Sequence, residues 1–137
     1  MTNSTAQLAV LIDRKHRVLV QLREAGRRQM DLVANRDTAS LIKLLAAKQN
    51  LINALQAVER ELAPYSAEDP ARRVWSSPAE RAGCAEQAAE CNSMLREIVE
   101  MDRQGVDQMT VHRNQIAEQL RQFHSATDVR KAYQAQR

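Results

Sequence analysis

The sequence predicts an all-α fold: an antiparallel three-helix bundle of coiled-coil character, with a C-terminal helix long enough to overhang the other two. Three observations carry this. Large apolar residues recur at three- and four-residue steps rather than in strict alternation. Aromatic residues make up 3% of the chain and glycine occurs 3 times in 137 residues, which leaves little material for a sheet or a loop-rich enzyme scaffold. Two of the 3 prolines, Pro64 and Pro70, fall in one short polar stretch that divides the chain.

The first helix is expected over about residues 4–33, with Leu8, Leu11, Ile12, Val18, Leu19, Leu22 and Met30 on its inner face and Lys15 and Gln29 interrupting it. Gly26 lies within that pattern. It costs about 1 kcal/mol against alanine but lets a neighbouring helix come close. The outer face carries Arg14, Lys15, His16, Arg17, Arg23, Arg27 and Arg28 without interleaved aromatics, which reads as a solvated surface balanced by acidic partners rather than a phosphate-binding stripe.

Asn35-Arg36-Asp37 supplies a stop and restart, Asn35 for a left-handed helix end and Asp37 as the next cap, so the first two helices form an antiparallel hairpin. The second helix, about residues 38–63, is expected to be the organising middle element. Leu41, Leu44, Leu51, Leu55, Val58 and Leu62 form its seam, Leu45 and Ile52 widen it, and Lys48 interrupts it. A loop over 64–77 follows, in which Tyr65 and Trp75 are expected to cover the end of the bundle.

The third helix, about 78–125, opens on Ser77 as cap, Pro78 at the first helical position and Glu80 three residues after the cap. Its seam is read through Cys84, Ala88, Cys91, Leu95, Ile98, Asp102, Gly105, Met109, His112 and Ile116, then Leu120 and Phe123 after a one-residue slip. Asp102 and Gly105 weaken it midway, where a kink is expected. Thr127-Asp128 is expected to restart a short terminal helix within the tail 126–137. The expected core is Leu11, Leu19, Leu22, Leu44, Leu51, Leu55, Leu95 and Ile98.

Helix length bears on function through the rise per residue. The first two helices come to about 45 and 40 Å and the third to about 70 Å, so its end beyond roughly Met109 is unmatched. That end still carries Ile116, Leu120 and Phe123 at i, i+4 and i+7, a stripe suited to receiving an amphipathic helix, with Met109 at its border.

No catalytic constellation accompanies these features: His16, His112 and His124 are scattered, and no glycine-rich loop follows a strand. Neither an enzyme nor a cofactor is expected. Cys84 and Cys91 lie about 10 Å apart on one helix, too far to bridge, and with His112 they cannot close a tetrahedral metal site. Reduced, packed thiols fit a reducing compartment. The segment MTNSTAQ lacks a basic-then-apolar signal arrangement, and no apolar run approaches the roughly 20 residues of a membrane span, so a cytoplasmic protein without membrane insertion is expected. A net charge of +3 does not call for nucleic acid.

The order of features resembles the FlgN family of flagellar type III export chaperones, small cytoplasmic helical proteins that hold hook-filament junction proteins before secretion. The likeness rests on RDTASLIKLLAAKQNLINALQAVEREL with its Lys48-Gln49 pair, on LREIVEMDRQGVDQMTVHRNQIAEQLRQF with Asp102, Arg113, Ile116 and Leu120, and on the tail AYQAQR with Tyr133. It spans most of the chain. The resemblance implies that the C-terminal amphipathic region, here Met109, Ile116, Leu120 and Phe123, binds the terminal helix of a hook-associated client. It also implies that Tyr133 docks to export-gate components, although Gln134 and Ala135 stand where the family often has a glycine. The rival reading is a self-associating structural coiled coil, a homo-oligomer through the same stripe with no export client.

Overall fold

The computed structural model describes residues 4–135; parts of the MTNSTAQ and AYQAQR stretches lie outside the described residues. It consists of helix α1 (Thr5–Ala34), helix α2 (Thr38–Ser66), a 3-10 turn (Pro70–Arg72) and helix α3 (Pro78–Ala135), with no strand among the described residues. The protein is an all-α bundle. It divides into two compact units, one ending at Asp102 and the other beginning at Arg103, and α3 contributes to both.

Within the first unit, side-chain pairs fix the helix directions. From α1 to α2 the pairs run Arg14 to Glu61, Lys15 to Glu59 and Gln29 to Lys48, so one number rises as the other falls. From α1 to α3 they run Asp13 to Gln87 and His16 to Glu90, both 74 residues apart. Helix α2 is therefore antiparallel to α1, and α3 returns alongside α1 in the same direction.

The hairpin turn is tighter than the sequence suggested. Helix α1 ends at Ala34 and Asn35 keeps a right-handed helical backbone (φ −85°), so the left-handed position passes to Arg36 (φ 57°). The amide of Asp37 donates to Leu32 O at 3.0 Å and that of Arg36 to Val33 O at 3.2 Å, the paired bonds of a Schellman closure. Asp37 then caps α2, its Oδ1 accepting from the Ser40 amide at 3.1 Å. The side-chain and backbone hydrogen bonds of Ser40 hold the Asp37 carboxyl below its ordinary pKa.

Helix α2 continues to Ser66 rather than stopping before Pro64. Proline in the final turn leaves the carbonyl of Arg60 without its helical partner, and because Arg60 is exposed, water can take that bond. The start of α3 follows expectation: the Glu80 amide donates to Ser77 Oγ at 3.0 Å, with Pro78 first in the helix. Its end does not. The helix runs on past residue 125 and through Thr127-Asp128 to Ala135 without a restart, because a capping residue does not by itself break a helix whose neighbours keep bonding across it.

Two apolar clusters make up the core. Leu19 and Leu22 of α1 meet Cys91, Met94 and Ile98 of α3, with Leu51, Ile52, Leu55 and Met101 packed around them. Leu8, Leu11, Tyr65 and Cys84 form the second, flanked by Ile12, Leu62 and Trp75 at the end where α2 stops and α3 begins. Tyr65 and Trp75 thus cover that end, as expected.

The middle helix is less buried than its seam implied: only Lys48, Val58 and Tyr65 of α2 are buried, Leu44, Leu51 and Leu55 are half-buried, and Leu45 is exposed. The deepest residues lie on α1 and α3. On α3 the expected Cys84, Cys91 and Ile98 do face inward, with Leu95 packed against the cluster that holds the latter two, and the inward face also takes in Met94 and Met101, which the seam did not include. Gly26 does admit a close neighbour. A Cβ there would stand 3.0 Å from Met101 Cε.

Candidate functional site

In the second unit the predicted residues Met109, Ile116, Leu120 and Phe123 all lie on α3 and all are exposed, the last three at 44%, 54% and 67%. At about 100° per residue, the seven-residue steps from Met109 to Ile116 to Phe123 keep them on one line, and Leu120 falls beside it. Val106, also exposed, belongs to the same seam three residues before Met109, and with Met109, Thr110 and Arg113 it lines a cleft of about 170 Å³. The sequence reading missed Val106 because it carried the core-facing seam through Gly105; the three-then-four spacing of Val106, Met109 and Arg113 was the available signal.

The seam Val106, Met109, Arg113, Ile116, Leu120, Phe123 is thus an apolar stripe with one cation in its middle. Arg113 has no ion pair among the described residues. Outside the stripe the helix is held by local bonds. Arg103 pairs with Asp107 at 3.1 Å, Arg121 pairs with Glu118, and Thr127 Oγ1 donates to Phe123 O at 2.9 Å. Tyr133 is exposed on the same helix.

The first unit brings together three residues that each interrupt a seam in the sequence. Lys48 Nζ donates to Asp102 Oδ1 at 2.6 Å and to Gln29 Oε1 at 3.0 Å, one residue from each helix. The lysine side chain is 9% exposed and the aspartate 47%, so the ammonium is buried and its counter-charge reaches solvent. Such a polar layer inside an apolar seam serves alignment better than chemistry.

The basic face of α1 is matched by carboxylates from its neighbours: Arg14 with Glu61 at 3.0 Å, Lys15 with Glu59 at 2.6 Å, His16 with Glu90 at 2.6 Å, and Arg27 with Glu97 at 3.1 Å. Cys84 and Cys91 are free and buried, and burial pushes both thiols above the ordinary pKa, so they are poor nucleophiles near neutrality. Among the described residues, no group of three His, Cys, Asp or Glu side chains is placed to hold a metal ion, and no helix is long and apolar enough to cross a membrane. Comparison of the chain with protein-family models, with curated proteins and with solved structures gave no match.

Proposed function

We propose that the chain is a cytoplasmic export chaperone of the FlgN kind, which holds the C-terminal amphipathic helix of a flagellar hook-associated protein before type III secretion. Met109, Ile116, Leu120 and Phe123 receive that helix, and Tyr133 is available to an export-gate component. The observation that carries this reading is the exposed seam on α3, since soluble proteins seldom leave an ordered row of large apolar side chains facing water unless something docks there. An amphipathic helix is the matching occupant. Its own three- and four-residue repeat interleaves with this one, and Arg113 favours a carboxylate at the facing position.

The reading is tested by calorimetry of the full chain with C-terminal peptides of hook-filament junction proteins, before and after Leu120→Asp and Phe123→Asp. Each substitution buries a carboxylate on docking, a cost of several kcal/mol, so affinity should fall by about a hundredfold or more. Unchanged affinity in both variants removes the site from this face. The self-association reading predicts something else. Light scattering would then detect a dimer that the same substitutions dissolve, with no peptide bound by either form.

A further inference from the structure

The loop between α2 and α3 closes a second cavity, of about 270 Å³, in the first unit, and it is built unlike the stripe on α3. Leu8, Ile12, Trp75 and Cys84 supply apolar walls, and the charged residues lining it are both arginines, Arg73 and Arg81. We propose that this cavity binds a small apolar carboxylate, its chain against the four walls and its head at Arg81.

Burial and charge lead to that occupant. Leu8 and Cys84 are buried and form the floor, whereas Arg81 is exposed and stands at the rim. Arg73 already has company: Nη2 donates to Tyr65 O at 2.8 Å, and Nε lies 3.6 Å from the Glu68 carboxylate. Arg81 has no ion pair among the described residues, so the uncompensated cation at the cavity is its guanidinium. An apolar depth with a cation at its mouth complements an anion on a short hydrocarbon. A neutral ligand leaves the charge unused, and a cationic one is repelled.

Size narrows the class. The volume falls just below the roughly 300–1,000 Å³ of pockets for drug-sized ligands, which suits a chain of about eight carbons rather than a lipid. The walls are also set in advance. Thr5 Oγ1 donates to Val74 O at 2.7 Å and Tyr65 Oη to Ser4 O at 3.2 Å, tying the loop and the end of α2 to the start of α1, so little ordering remains for binding.

Trp75 is the 1 tryptophan of the chain, so its fluorescence reports this cavity without a label. Titration of the full chain with octanoate should give a saturable change with Kd below about 1 mM, whereas octan-1-ol and octylamine should bind at least about tenfold more weakly. Arg81→Gln should weaken octanoate at least about fivefold and leave octan-1-ol unchanged, with the circular dichroism melt as a check on folding. Equal affinity for octanoate and octan-1-ol overturns the proposal, as does the absence of saturation with octanoate. Both readouts use the unaltered protein and do not depend on the variant.

Discussion

A lysine inside an apolar seam is costly unless its ammonium is held, and Lys48 is held by Gln29 and Asp102. None of the three announces this. In the sequence each is a polar break in its own helix, and their partnership spans 19 and 54 residues, beyond any local periodicity. Arg36 was hidden for a different reason: the left-handed position moved to it when α1 ran on to Ala34, and residue type alone favours Asn35 there. The triad has an asymmetry that can be measured. Asp102→Ala strands a buried ammonium on one amide oxygen, and should cost roughly 1–3 kcal/mol, less than for a fully buried pair because Asp102 is half in water. Lys48→Met removes the buried charge itself, leaves Asp102 free to turn to solvent, and should cost less. Urea denaturation of the two variants decides it, and the reverse order would mean that the lysine stem, not its charge, matters at this site.

At the scale of elements, spacing identifies which side chains share a face, but it does not report how fully a neighbour covers that face. The helices and the Ser77 and Asp37 caps were legible because each depends on residues within one turn. The ranking of the helices was not. Helix α2 has the richest leucine seam, yet α1 and α3, aligned at the 74-residue offset, enclose the deepest residues. Leu19 is 0% exposed and Leu45 is 43% exposed, although both read as seam leucines. Leu19→Ala should therefore destabilise by roughly 2–5 kcal/mol, because it opens a cavity among Leu22, Cys91 and Met94. Leu45→Ala should stay within about 0.5 kcal/mol, as alanine is the better helix former and little packing is lost. Chemical denaturation of the pair checks the ranking, and comparable losses would restore α2 to the centre of the core.

For the whole molecule, the consequence lies in how unevenly stability is distributed. Both apolar clusters draw on residues no later than Met101, whereas from Val106 onward every described large apolar side chain is exposed. The candidate stripe was legible in the sequence for the same reason that it is unprotected: its repeat continues after the core's residues have ended. An uncovered helix in water is marginal, and pairs such as Arg103 with Asp107 add only about 0.2–0.5 kcal/mol each. Amide hydrogen exchange followed residue by residue should thus show residues 103–135 opening with a free energy at least about 2.7 kcal/mol below that of Leu19, Leu22 and Cys91, which is about a hundredfold in rate. Adding a junction-protein C-terminal peptide should slow exchange along Val106, Met109, Ile116, Leu120 and Phe123 and leave the slow core amides unchanged, since binding stabilises what it covers. Self-association predicts protection that rises with protein concentration and needs no peptide. Equally slow exchange in both segments of the dilute, unliganded chain would mean that residues 103–135 are already stabilised within the chain, and a stripe stabilised in that way would not be open to a client helix.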